Sequence, residues 1–265
     1  MKKSIKMIVS DLDGTLLRKD KTISDYSIKV LRECQERGIV VAFATARSAD
    51  ASMKLVEKVK PNAVVLNGGA LAYADDDIVY NKPMDVEITD ELLRLLCTEG
   101  ESVGCICTET DKGFYINIVI EENDPGWAGY KPIYHPDFKT SVNAKAYKAV
   151  AEIFDDKVIG NITSALPGIG VVRFTGEDWV CFADKSVNKL EGIKALADHY
   201  GIAIGEVAVF GDDYNDIEML RSCGIGVAVG NAIDEAKTAA DYVCDANESD
   251  GPAKWLAENL LSCRE

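Results

Sequence analysis

Histidine and paired cysteine are scarce in this chain of 265 residues. There are only two histidines, His135 and His199, and the eight cysteines contain no C-x-x-C pair. Because zinc is usually held by closely spaced cysteines and histidines, we expect no zinc site. The cysteines are instead predicted to be small hydrophobic side chains of the core, as free cysteines commonly are in the cytosol.

Long apolar runs are also missing. A membrane-spanning helix needs about 18 or more consecutive apolar residues, and the longest comparable run here is Ile39–Ala44. The lysine-bearing N-terminus has only the short apolar run Met7-Ile8-Val9 before Asp11, so we expect no signal peptide. The sequence therefore predicts a cytoplasmic protein.

Positive charge is in deficit, because 29 Lys and Arg residues against 44 Asp and Glu residues give a formal net charge of −15. Such a surface repels phosphate backbones and anionic lipid headgroups, so we expect no nucleic-acid partner and no membrane partner. Nothing in the sequence points to an obligate protein partner. Hydrophobic residues make up 47% of the chain, which is enough for a core in one large or two smaller domains.

Short β-branched runs alternate with helical patterns in the first and last parts of the chain. Lys6–Ser10 is followed by apolar residues at helical spacing over Ser24–Arg37, and Ile39–Ala44 is followed by a second helical pattern over Ala49–Val59. This alternation predicts an α/β fold with a parallel sheet. It also predicts strands at Ala63–Leu66, Val207–Phe210 and Ile225–Val229 and helices at Leu190–Tyr200 and Asp216–Ser222.

The middle of the chain has a different pattern. A helix is expected near Thr89–Cys97, followed by two strands that Asp111-Lys112-Gly113 joins as a hairpin. Glu121–Pro136 contains three of the seven prolines and is expected to be a loop. We predict an inserted α+β domain at residues 83–183, so that residues 1–82 and 184–265 form the core. Its other expected elements are strands at Val103–Thr108, Phe114–Val119, Ala146–Ile153, Ile169–Phe174 and Trp179–Phe182 and a helix at Asp156–Leu166.

Polar residues follow four of the predicted core strands. In an open parallel sheet these strand ends lie along one edge, where such sheets bind ligands. Carboxylates from distant segments would meet a threonine and an arginine there, an arrangement that suits a cation beside an anion. Magnesium with a phosphate group fits both needs. The four motifs are Asp11-Leu12-Asp13-Gly14-Thr15, Thr45-Ala46-Arg47, Asn67-Gly68 and Gly211-Asp212-Asp213-Tyr214-Asn215-Asp216.

Each motif alone also has an ordinary structural explanation. Asp13-Gly14 and Asn67-Gly68-Gly69 could be turns, and Thr45 could cap the following helix. Lys189, near a helix start, could be a solvated charge, and Asn215 could be a helix N-cap. The prediction of a site therefore depends on the four strand ends taken together.

These motifs resemble those of the haloacid dehalogenase superfamily and, within it, of the Cof-like phosphatases. The resemblance includes Lys189 and extends through Val227-Ala228-Val229-Gly230-Asn231-Ala232 and Asp250-Gly251. It covers both halves of the predicted core, whereas the insertion matches in position and approximate length only. It implies a Rossmann-like parallel-sheet core with an inserted α+β cap domain.

The resemblance implies a role for each matching residue. Asp11 would be the nucleophile and Asp13 the general acid and base. Mg²⁺ would be bound by the Asp11 carboxylate, the Asp13 backbone carbonyl and Asp212, with Asp216 in the surrounding metal shell. Thr45 and Lys189 would hold the phosphoryl oxygens, and Asn215 would support the phosphate. Arg47 and Asn67 are further candidates for substrate binding. Arg47 could reach the substrate, pair with a core carboxylate or lie at the boundary of the insertion, and the sequence does not choose between these placements.

These roles agree with the chemistry of phosphate esters. An attacking carboxylate splits hydrolysis into two easier displacements through an aspartyl phosphate, provided that cations reduce the repulsion between anions. Mg²⁺ and Lys189 would supply that positive charge. Asp13 would protonate the leaving oxygen and later take a proton from water. Ala46 departs from the family pattern, which often has glycine there, and its methyl group could narrow the phosphate pocket.

The sequence thus predicts a Mg²⁺-dependent phosphatase that acts on a small phosphorylated metabolite such as a sugar phosphate. Two alternatives stay open, a phosphotransferase or mutase with the same aspartyl phosphate and a non-catalytic regulator that binds a phosphorylated ligand. The insertion is expected to act as a lid that contacts the substrate beyond its phosphate. Tyr115, Asn117 and Trp127 are candidate contacts there, with packing as their more ordinary role.

Overall fold

The computed structural model describes residues 4–121, 127, 130–174 and 176–262. These residues form two compact units. Unit 1 contains the described residues up to Asn81 and from Asn188 onward, and unit 2 contains those from Lys82 to Val187. Among the described helices, none is both long enough and apolar enough to cross a membrane.

The helices and strands of unit 2 interrupt those of unit 1 along the chain. Unit 1 begins with β1 (Met7–Ser10), α1 (Asp25–Glu36), β2 (Val40–Ala44), α2 (Ala49–Val56), β3 (Ala63–Leu66), β4 (Leu71–Ala74) and β5 (Asp77–Asn81). Unit 2 contains α3 (Val86–Thr98), β6 (Val103–Thr110), β7 (Gly113–Ile116), β8 (Pro132–Tyr134), β9 (Ala146–Ile153), α4 (Lys157–Ala165), β10 (Ile169–Arg173) and β11 (Trp179–Asp184). Unit 1 resumes with α5 (Lys189–His199), β12 (Val207–Gly211), α6 (Ile217–Ser222), β13 (Ile225–Ala228), α7 (Asp234–Ala239), β14 (Tyr242–Val243) and α8 (Gly251–Leu256).

The sheet of unit 1 has the strand order β14-β13-β12-β1-β2-β3-β4-β5. Its strands from β14 to β3 are parallel, which confirms the predicted α/β fold. The four strands that precede the polar motifs, β12, β1, β2 and β3, are direct neighbours in this order. Their carboxyl ends therefore lie side by side at one edge of the sheet.

An antiparallel hairpin, β4 and β5, extends this sheet, and the sequence pattern does not predict it. Asp75 and Asp76 form its turn, with φ angles of 48° and 71° in the left-handed region. Two-residue turns of this kind usually contain Asn-Gly or Asp-Gly, and this pair has no glycine. The run Leu71–Ala74 therefore has no hairpin signal after it.

Apolar side chains cover both faces of the unit 1 sheet. Met7 and Val9 of β1 belong to a core that includes Ile193 of α5. Ile8 belongs to the opposite core, with Leu31 of α1. Because neighbouring strand residues point to opposite faces, a strand that is covered on both sides is a continuous apolar run in the sequence.

The helix α1 shows how the sequence sets the ends of an element. The Ser24 hydroxyl oxygen accepts a hydrogen bond from the Ser27 backbone N–H at 3.0 Å and caps the first turn. Gly38, with a φ angle of 79°, follows the last turn and ends the helix. The helix predicted over Ser24–Arg37 is confirmed to within one residue at each end.

The sheet of unit 2 has the strand order β10-β11-β9-β6-β7-β8. The helices α3 and α4 pack on one face, where Leu92 and Ile162 share an apolar core. The hairpin predicted at Asp111-Lys112-Gly113 is present, since β6 pairs antiparallel with β7 as far as Thr110. This arrangement confirms the α+β fold predicted for the insertion.

One prediction for unit 2 is wrong. Glu121–Pro136 is expected to be a loop, yet Pro132–Tyr134 forms β8 and pairs parallel with β7. Its three residues are exposed and it begins with proline, so neither apolar alternation nor a proline-free run marks it. Residues 122–126 and 128–129 of this stretch lie outside the described residues.

The second face of the unit 2 sheet carries sulfur and aromatic side chains, and we call it the cysteine face. It is formed by Cys105, Cys107, Phe114, Ile116 and Val150, with Cys181 and Trp179 packed against them. The seven described cysteines of the whole chain are free and are buried or half-buried, as predicted for hydrophobic side chains. The eighth, Cys263, lies outside the described residues.

Candidate active site

Two neighbouring strands bring the first and last motifs together. β1 and β12 pair parallel, with Ser10 opposite Phe210. The Asp11 backbone N–H donates to the Phe210 carbonyl oxygen at 2.9 Å, which continues the pairing one residue past the strand. Asp11 and Asp212 therefore leave adjacent strands at the same level, although they are about two hundred residues apart in the chain.

Three carboxylates meet at this edge. Asp11, Asp212 and Asp216 each offer one oxygen, and these oxygens all lie within 4.8 Å of one another. Asp11 and Asp216 are buried and Asp212 is half-buried. Of the residues predicted around the metal, Asp13 is expected to contribute its backbone carbonyl, and its side chain does not belong to this group of carboxylates.

Lys189 lies among these acids. Its Nζ donates to Asp11 Oδ1 at 2.6 Å and to Asp216 Oδ1 at 2.7 Å, and Asn215 Oδ1 lies 3.4 Å away. The lysine is only 1% exposed. Burial alone would lower the pKa of Lys189, but the charges of Asp11 and Asp216 outweigh it and raise the pKa above its usual value. Lys189 is therefore a buried cation and not a solvated charge.

The helix α5 sets the position of Lys189. Asn188 caps this helix, because its Oδ1 accepts a hydrogen bond from the Glu191 backbone N–H at 3.0 Å. Lys189 is the first residue of the helix, so its Cα is fixed next to the cap. The backbone of Gly69, after β3, lies close by, since a Cβ on Gly69 would come within 2.0 Å of the Asn188 carbonyl oxygen. The third strand end and the start of α5 thus pack tightly together.

The carboxylates carry more negative charge than the single lysine neutralises. Burial raises the pKa of Asp11 well above its usual value, although Lys189 opposes this shift. Burial likewise raises the pKa of Asp212 to about 6, against the effect of a hydrogen bond from Thr15. Raised carboxylate pKa values mean that the site disfavours its own ionised state. A bound cation would relieve this penalty, and three hard oxygen donors suit a hard divalent ion.

Asp216 ties the last motif into a fixed loop. Its Oδ2 accepts hydrogen bonds from the backbone N–H groups of Asp212 at 2.9 Å and of Asp213 at 3.2 Å. The loop is compact enough that a Cβ on Gly211 would come within 2.5 Å of the Asp216 Cβ. Asp216 therefore orients Asp212 through the backbone while its other oxygen contacts Lys189.

The Asp13 carboxylate is paired with two cations. Arg47 makes a bidentate contact, with Nε on one oxygen and Nη2 at 2.8 Å from Oδ1, and Lys21 Nζ lies 2.7 Å from Oδ1. Burial alone would raise the pKa of Asp13, but the hydrogen bonds and charges of Arg47 and Lys21 outweigh it and lower the pKa to about 2. Of the placements that the sequence allows for Arg47, the structure has the pair with a core carboxylate.

The second and third strand ends are joined by backbone hydrogen bonds. Thr45, which is buried, accepts a hydrogen bond through Oγ1 from the Arg47 backbone N–H at 3.1 Å. The Asn67 N–H donates to the Arg47 carbonyl at 2.9 Å, and the Gly68 N–H donates to the Thr45 carbonyl at 3.0 Å. Among the described residues, Asn67 Oδ1 and Ser48 Oγ are buried without a hydrogen-bond partner. Ser48 stands at the N-cap position of α2, yet its side chain does not cap it.

Three residues of the loop between β1 and α1 belong to the site without being predicted as functional. Thr15 Oγ1 donates to Asp212 Oδ1 at 2.6 Å. Gly14 has a φ angle of 79°, and a Cβ on it would come within 2.3 Å of Asp212 Oδ2. Lys21, with a φ angle of 62°, reaches Asp13 from a turn that Asp20 stabilises. Thr15 and Gly14 lie inside the first motif, whereas a lysine eight positions after Asp13 gives no recognisable signal.

The candidate contact residues of unit 2 have structural partners. Asn117 Oδ1 accepts a hydrogen bond from the Ile106 backbone N–H at 2.7 Å. Tyr115 packs against the apolar core on the helical face. The Trp127 ring centroid lies 5.9 Å from that of Phe114. These contacts agree with a packing role for all three residues.

The fold and the site indicate the family that the strand-end motifs resemble, and comparison with known families identifies the same family. Residues 8–256 match the haloacid dehalogenase-like hydrolase family, so the chain belongs to this family. The resemblance seen in the strand-end motifs is thereby confirmed.

Relatives of known name span nearly the whole chain. It is 26% identical over 263 residues to a 5-amino-6-(5-phospho-D-ribitylamino)uracil phosphatase of Bacillus subtilis, over 97% of this chain and 96% of that protein. It is also 26% identical over 262 residues to a phosphoglycolate phosphatase of Methanopyrus kandleri, over 96% of this chain and 97% of that protein.

Solved structures share the fold. A sugar phosphatase of haloacid dehalogenase subclass IIB superposes with a TM-score of 0.80 at 22% identity, over 96% of this chain and 98% of that one. A haloacid dehalogenase-like hydrolase from Bacteroides thetaiotaomicron superposes with a TM-score of 0.82 at 24% identity, over 96% and 99%. At such identities the similarity concerns the fold alone.

Proposed function

We propose that this protein is a Mg²⁺-dependent phosphatase that hydrolyses a small phosphorylated metabolite of the sugar-phosphate kind. One observation carries the proposal: the buried Lys189 contacts Asp11 and Asp216 beside Asp212. This arrangement supports Asp11 as the nucleophile, Lys189 as a fixed cation beside it, and carboxylate oxygens as metal ligands at the same strand edge. The names of the relatives, which are phosphatases of small phosphate esters, support the same substrate class.

The residues present fit a magnesium ion. Asp11, Asp212 and the Asp13 backbone carbonyl would bind it, with Asp216 holding the loop that carries Asp212. When bound, Mg²⁺ supplies positive charge that favours the ionised carboxylates and draws a phosphate group toward them. The raised pKa values of Asp11 and Asp212 support this assignment, because they report acids that lack compensating charge.

Asp11 would attack phosphorus and form an aspartyl phosphate as the bond to the leaving oxygen breaks. Lys189 would keep Asp11 ionised and would neutralise the phosphoryl oxygens, together with hydrogen bonds from Thr45 and Asn215. Asn67 is proposed to contact the substrate as well, since its buried Oδ1 has no partner among the described residues. Water would then release phosphate and regenerate the Asp11 carboxylate.

Asp13 would donate a proton to the leaving oxygen and later accept one from water. In the present geometry its carboxylate is ionised and paired with Arg47 and Lys21. An ionised carboxylate has no proton to donate, so Asp13 would first take one up from solvent water, and this requires its pair with Arg47 and Lys21 to open. We propose that Arg47, once released, contacts the substrate.

The remaining assignments are part of the same proposal. The division into a core of residues 1–82 and 184–265 with a lid domain at 83–183 is supported by the two compact units of the described chain. A cytoplasmic location is supported by the seven described cysteines, all of which are free. Small phosphorylated molecules are the proposed partners.

Hydrolysis of an aryl phosphate by the purified protein tests this function. Wild type with Mg²⁺ is expected to release phosphate, and Asp11→Asn is expected to lose at least about a thousandfold in kcat, as nucleophile removal does in other enzymes. Asp213→Asn is the matched control, since Asp213 follows the neighbouring strand β12 and its side-chain oxygen would still accept from the Tyr214 backbone N–H. Full activity of Asp11→Asn would exclude Asp11 as the nucleophile.

Product analysis with sugar phosphates separates the alternatives. A phosphatase releases inorganic phosphate, whereas a mutase returns an isomeric ester without phosphate release. Tight binding without turnover across a broad panel of phosphate esters would instead indicate a regulator.

A further inference from the structure

The segment Val227–Ala232 has no role in the proposed chemistry, yet Asn231 contacts the loop that carries the aspartates. Its Nδ2 donates to the Gly14 carbonyl oxygen at 2.7 Å. Its Oδ1 accepts a hydrogen bond from the Asn247 backbone N–H at 2.9 Å. We call Asn231 and Asn247 the asparagine pair.

The second contact fixes the direction of the first. A backbone N–H can only donate, so the Asn231 atom that faces Asn247 must be the oxygen. The amide nitrogen of Asn231 therefore points to Gly14, where it meets an acceptor. Both polar atoms of the Asn231 side chain form hydrogen bonds. Exchanging the positions of its oxygen and nitrogen would break both of them.

Asn247 extends the same connection along the loop. It is buried, and its Nδ2 donates to the Leu17 carbonyl oxygen at 2.8 Å. The next residue, Glu248, accepts from the Lys19 backbone N–H at 2.7 Å. The loop after β1 is thus bound at three successive points by residues 231–248.

Asp250, in the motif Asp250-Gly251 that also has no assigned role, contacts the same loop. Its two oxygens accept from Arg18 Nη2 at 3.1 Å and 2.9 Å. Ser27 Oγ donates to the same carboxylate at 3.2 Å. Asp250 therefore binds the far end of the loop and the start of α1.

The chain directly after Asn231 also contacts the loop that carries Asp212. The Ile233 backbone N–H donates to the Asp212 carbonyl oxygen at 2.9 Å. Thr15, the residue after Gly14, donates to the Asp212 side chain at 2.6 Å. The segment that contains Asn231 therefore touches both acidic loops, one through a side chain and the other through its backbone.

From these contacts we infer that Asn231 and Asn247 are positioning residues, which hold the Gly14–Leu17 backbone so that Asp11 and Asp212 keep the spacing needed for one divalent ion. The inference rests on the proposed function, because that function supplies the ion. The asparagine pair touches neither the ion nor the substrate. Its expected effect is on metal affinity, through the geometry of the loop.

Two substitutions separate the two hydrogen bonds. Asn231→Asp keeps the acceptor for the Asn247 N–H but turns an oxygen toward the Gly14 carbonyl, where two acceptors repel. Asn247→Ala removes the side-chain hydrogen bond to the Leu17 carbonyl and adds no charge. The backbone N–H at this position still donates to Asn231. If Asn231→Asp acted only through its charge, it would tighten Mg²⁺ binding, whereas a lost positioning contact weakens it.

Calorimetric titration with Mg²⁺ measures the effect without turnover. Each variant is expected to bind Mg²⁺ about 5- to 30-fold more weakly than wild type, the range for an unsatisfied carbonyl. Amide hydrogen exchange without metal gives a second readout. The N–H groups of Thr15, Leu16 and Leu17, which all donate to the Leu12 carbonyl, are expected to exchange about fivefold faster in Asn247→Ala.

Asn259→Asp is the matched control. Its Nδ2 donates to the Trp255 carbonyl at 2.9 Å, so it loses the same kind of bond away from the acidic loops. Unchanged Mg²⁺ affinity in both test variants, beside a wild type that binds Mg²⁺, would overturn the positioning role and leave the proposed function intact. A wild type that binds no Mg²⁺ and hydrolyses no phosphate ester would refute the proposed function itself.

Discussion

The two units of the chain place their buried charges differently. In unit 1 the buried charged side chains Asp11, Lys189 and Asp216 meet at one edge of the sheet. In unit 2 the described residues include one buried charged side chain, Lys148 of β9. Charges are costly to remove from water unless they are paired, so a cluster of them needs a further reason. We propose that in unit 1 this reason is chemistry at the strand ends.

The cysteine face of the unit 2 sheet contrasts with this cluster, since a single buried charge, Lys148, lies near Cys107 and Cys181 among the described residues. The cysteine face is built from thiols, aliphatic side chains and aromatic rings. Burial raises the pKa of Cys105 to about 12, so this thiol stays neutral near pH 7. Neutral groups can line a sheet without ion partners, whereas the site of unit 1 requires several segments to converge. The comparison predicts large effects in unit 1 and small effects in unit 2.

Loss of the buried lysine should have the largest effect. Lys189→Ala leaves Asp11 and Asp216 buried without their cation, and breaking a buried pair in this way typically costs about 3–5 kcal/mol. We therefore expect the free energy of unfolding to fall by about this amount in urea titrations, with hydrolysis lost.

Two further lysines test the same comparison. Lys194→Ala removes an exposed pair with Glu191 on the same helix and is expected to cost less than about 1 kcal/mol. Lys148→Ala is expected to lower stability while aryl phosphate hydrolysis continues. Loss of hydrolysis in Lys148→Ala would show that unit 2 also contributes a catalytic charge.

The first loop offers a matched pair of glycines. Gly14 and Gly38 both have a φ angle of 79°, but only the Cβ added at Gly14 meets a neighbour, Asp212 Oδ2 at 2.3 Å, while none lies within 4 Å at Gly38. Gly38→Ala should therefore cost about 1–2 kcal/mol for backbone strain alone. Gly14→Ala should also displace Asp212 and reduce kcat about a hundredfold, as small misplacements in active sites do. Equal kinetics for the two variants would show that Asp212 tolerates displacement.

The Asp13 pair predicts a pH-dependent change in stability. Its folded pKa of about 2 lies below the usual value of 3.8. Ionised Asp13 therefore stabilises the folded chain above about pH 4, and this contribution is lost as the pH falls through about 2. Arg47→Ala should lower the free energy of unfolding by about 1 kcal/mol at pH 6, since Asp13 is partly exposed, and by almost nothing at pH 2.

The control for this prediction is a second bidentate pair in unit 2. Arg94 contacts Glu91 at 2.8 Å and 2.6 Å on the surface of α3. Solvent screens this exposed pair, so Arg94→Ala should change stability less than Arg47→Ala at every pH. A larger loss for Arg94→Ala would contradict the difference drawn between the units.

The smallest effect is expected on the cysteine face. Removal from water raises the pKa values of Cys105, Cys107 and Cys181, and only the thiolate reacts readily with thiol reagents. At pH 8 the folded protein should leave these three cysteines unlabelled, while protein unfolded in urea should react at all of them. Rapid labelling of Cys107 in the folded state, read by peptide mass, would show an open face.

Much of the fold follows from pattern alone. The continuous apolar runs of β1 and β2 and the helical spacing over α1 mark a parallel sheet because each element must bury an apolar surface. The hairpin of β4 and β5 and the strand β8 cannot be predicted in this way. The turn of the hairpin has no glycine, and the three exposed residues of β8 show no alternation of apolar and polar side chains. The sequence pattern likewise does not predict the helices α7 and α8, each of which is only six residues long.

The candidate site is predictable where it follows strand ends. Asp11, Thr45, Asn67 and Asp212 can be grouped because parallel strands end at one edge. Lys21 cannot be identified in this way, because a turn with a left-handed residue brings it back to Asp13. Such a return depends on backbone geometry, which local sequence does not display.

The sequence by itself determined which chemical groups are present and which strand each one follows, because strand periodicity and the shared edge of a parallel sheet are local and general rules. Tertiary structure alone decided the pairings, such as Arg47 with Asp13 and Asn231 with Gly14. These pairings form because packing positions distant segments relative to each other to within less than the length of a hydrogen bond. Residues more than two hundred positions apart carry no trace of that register in their order along the chain.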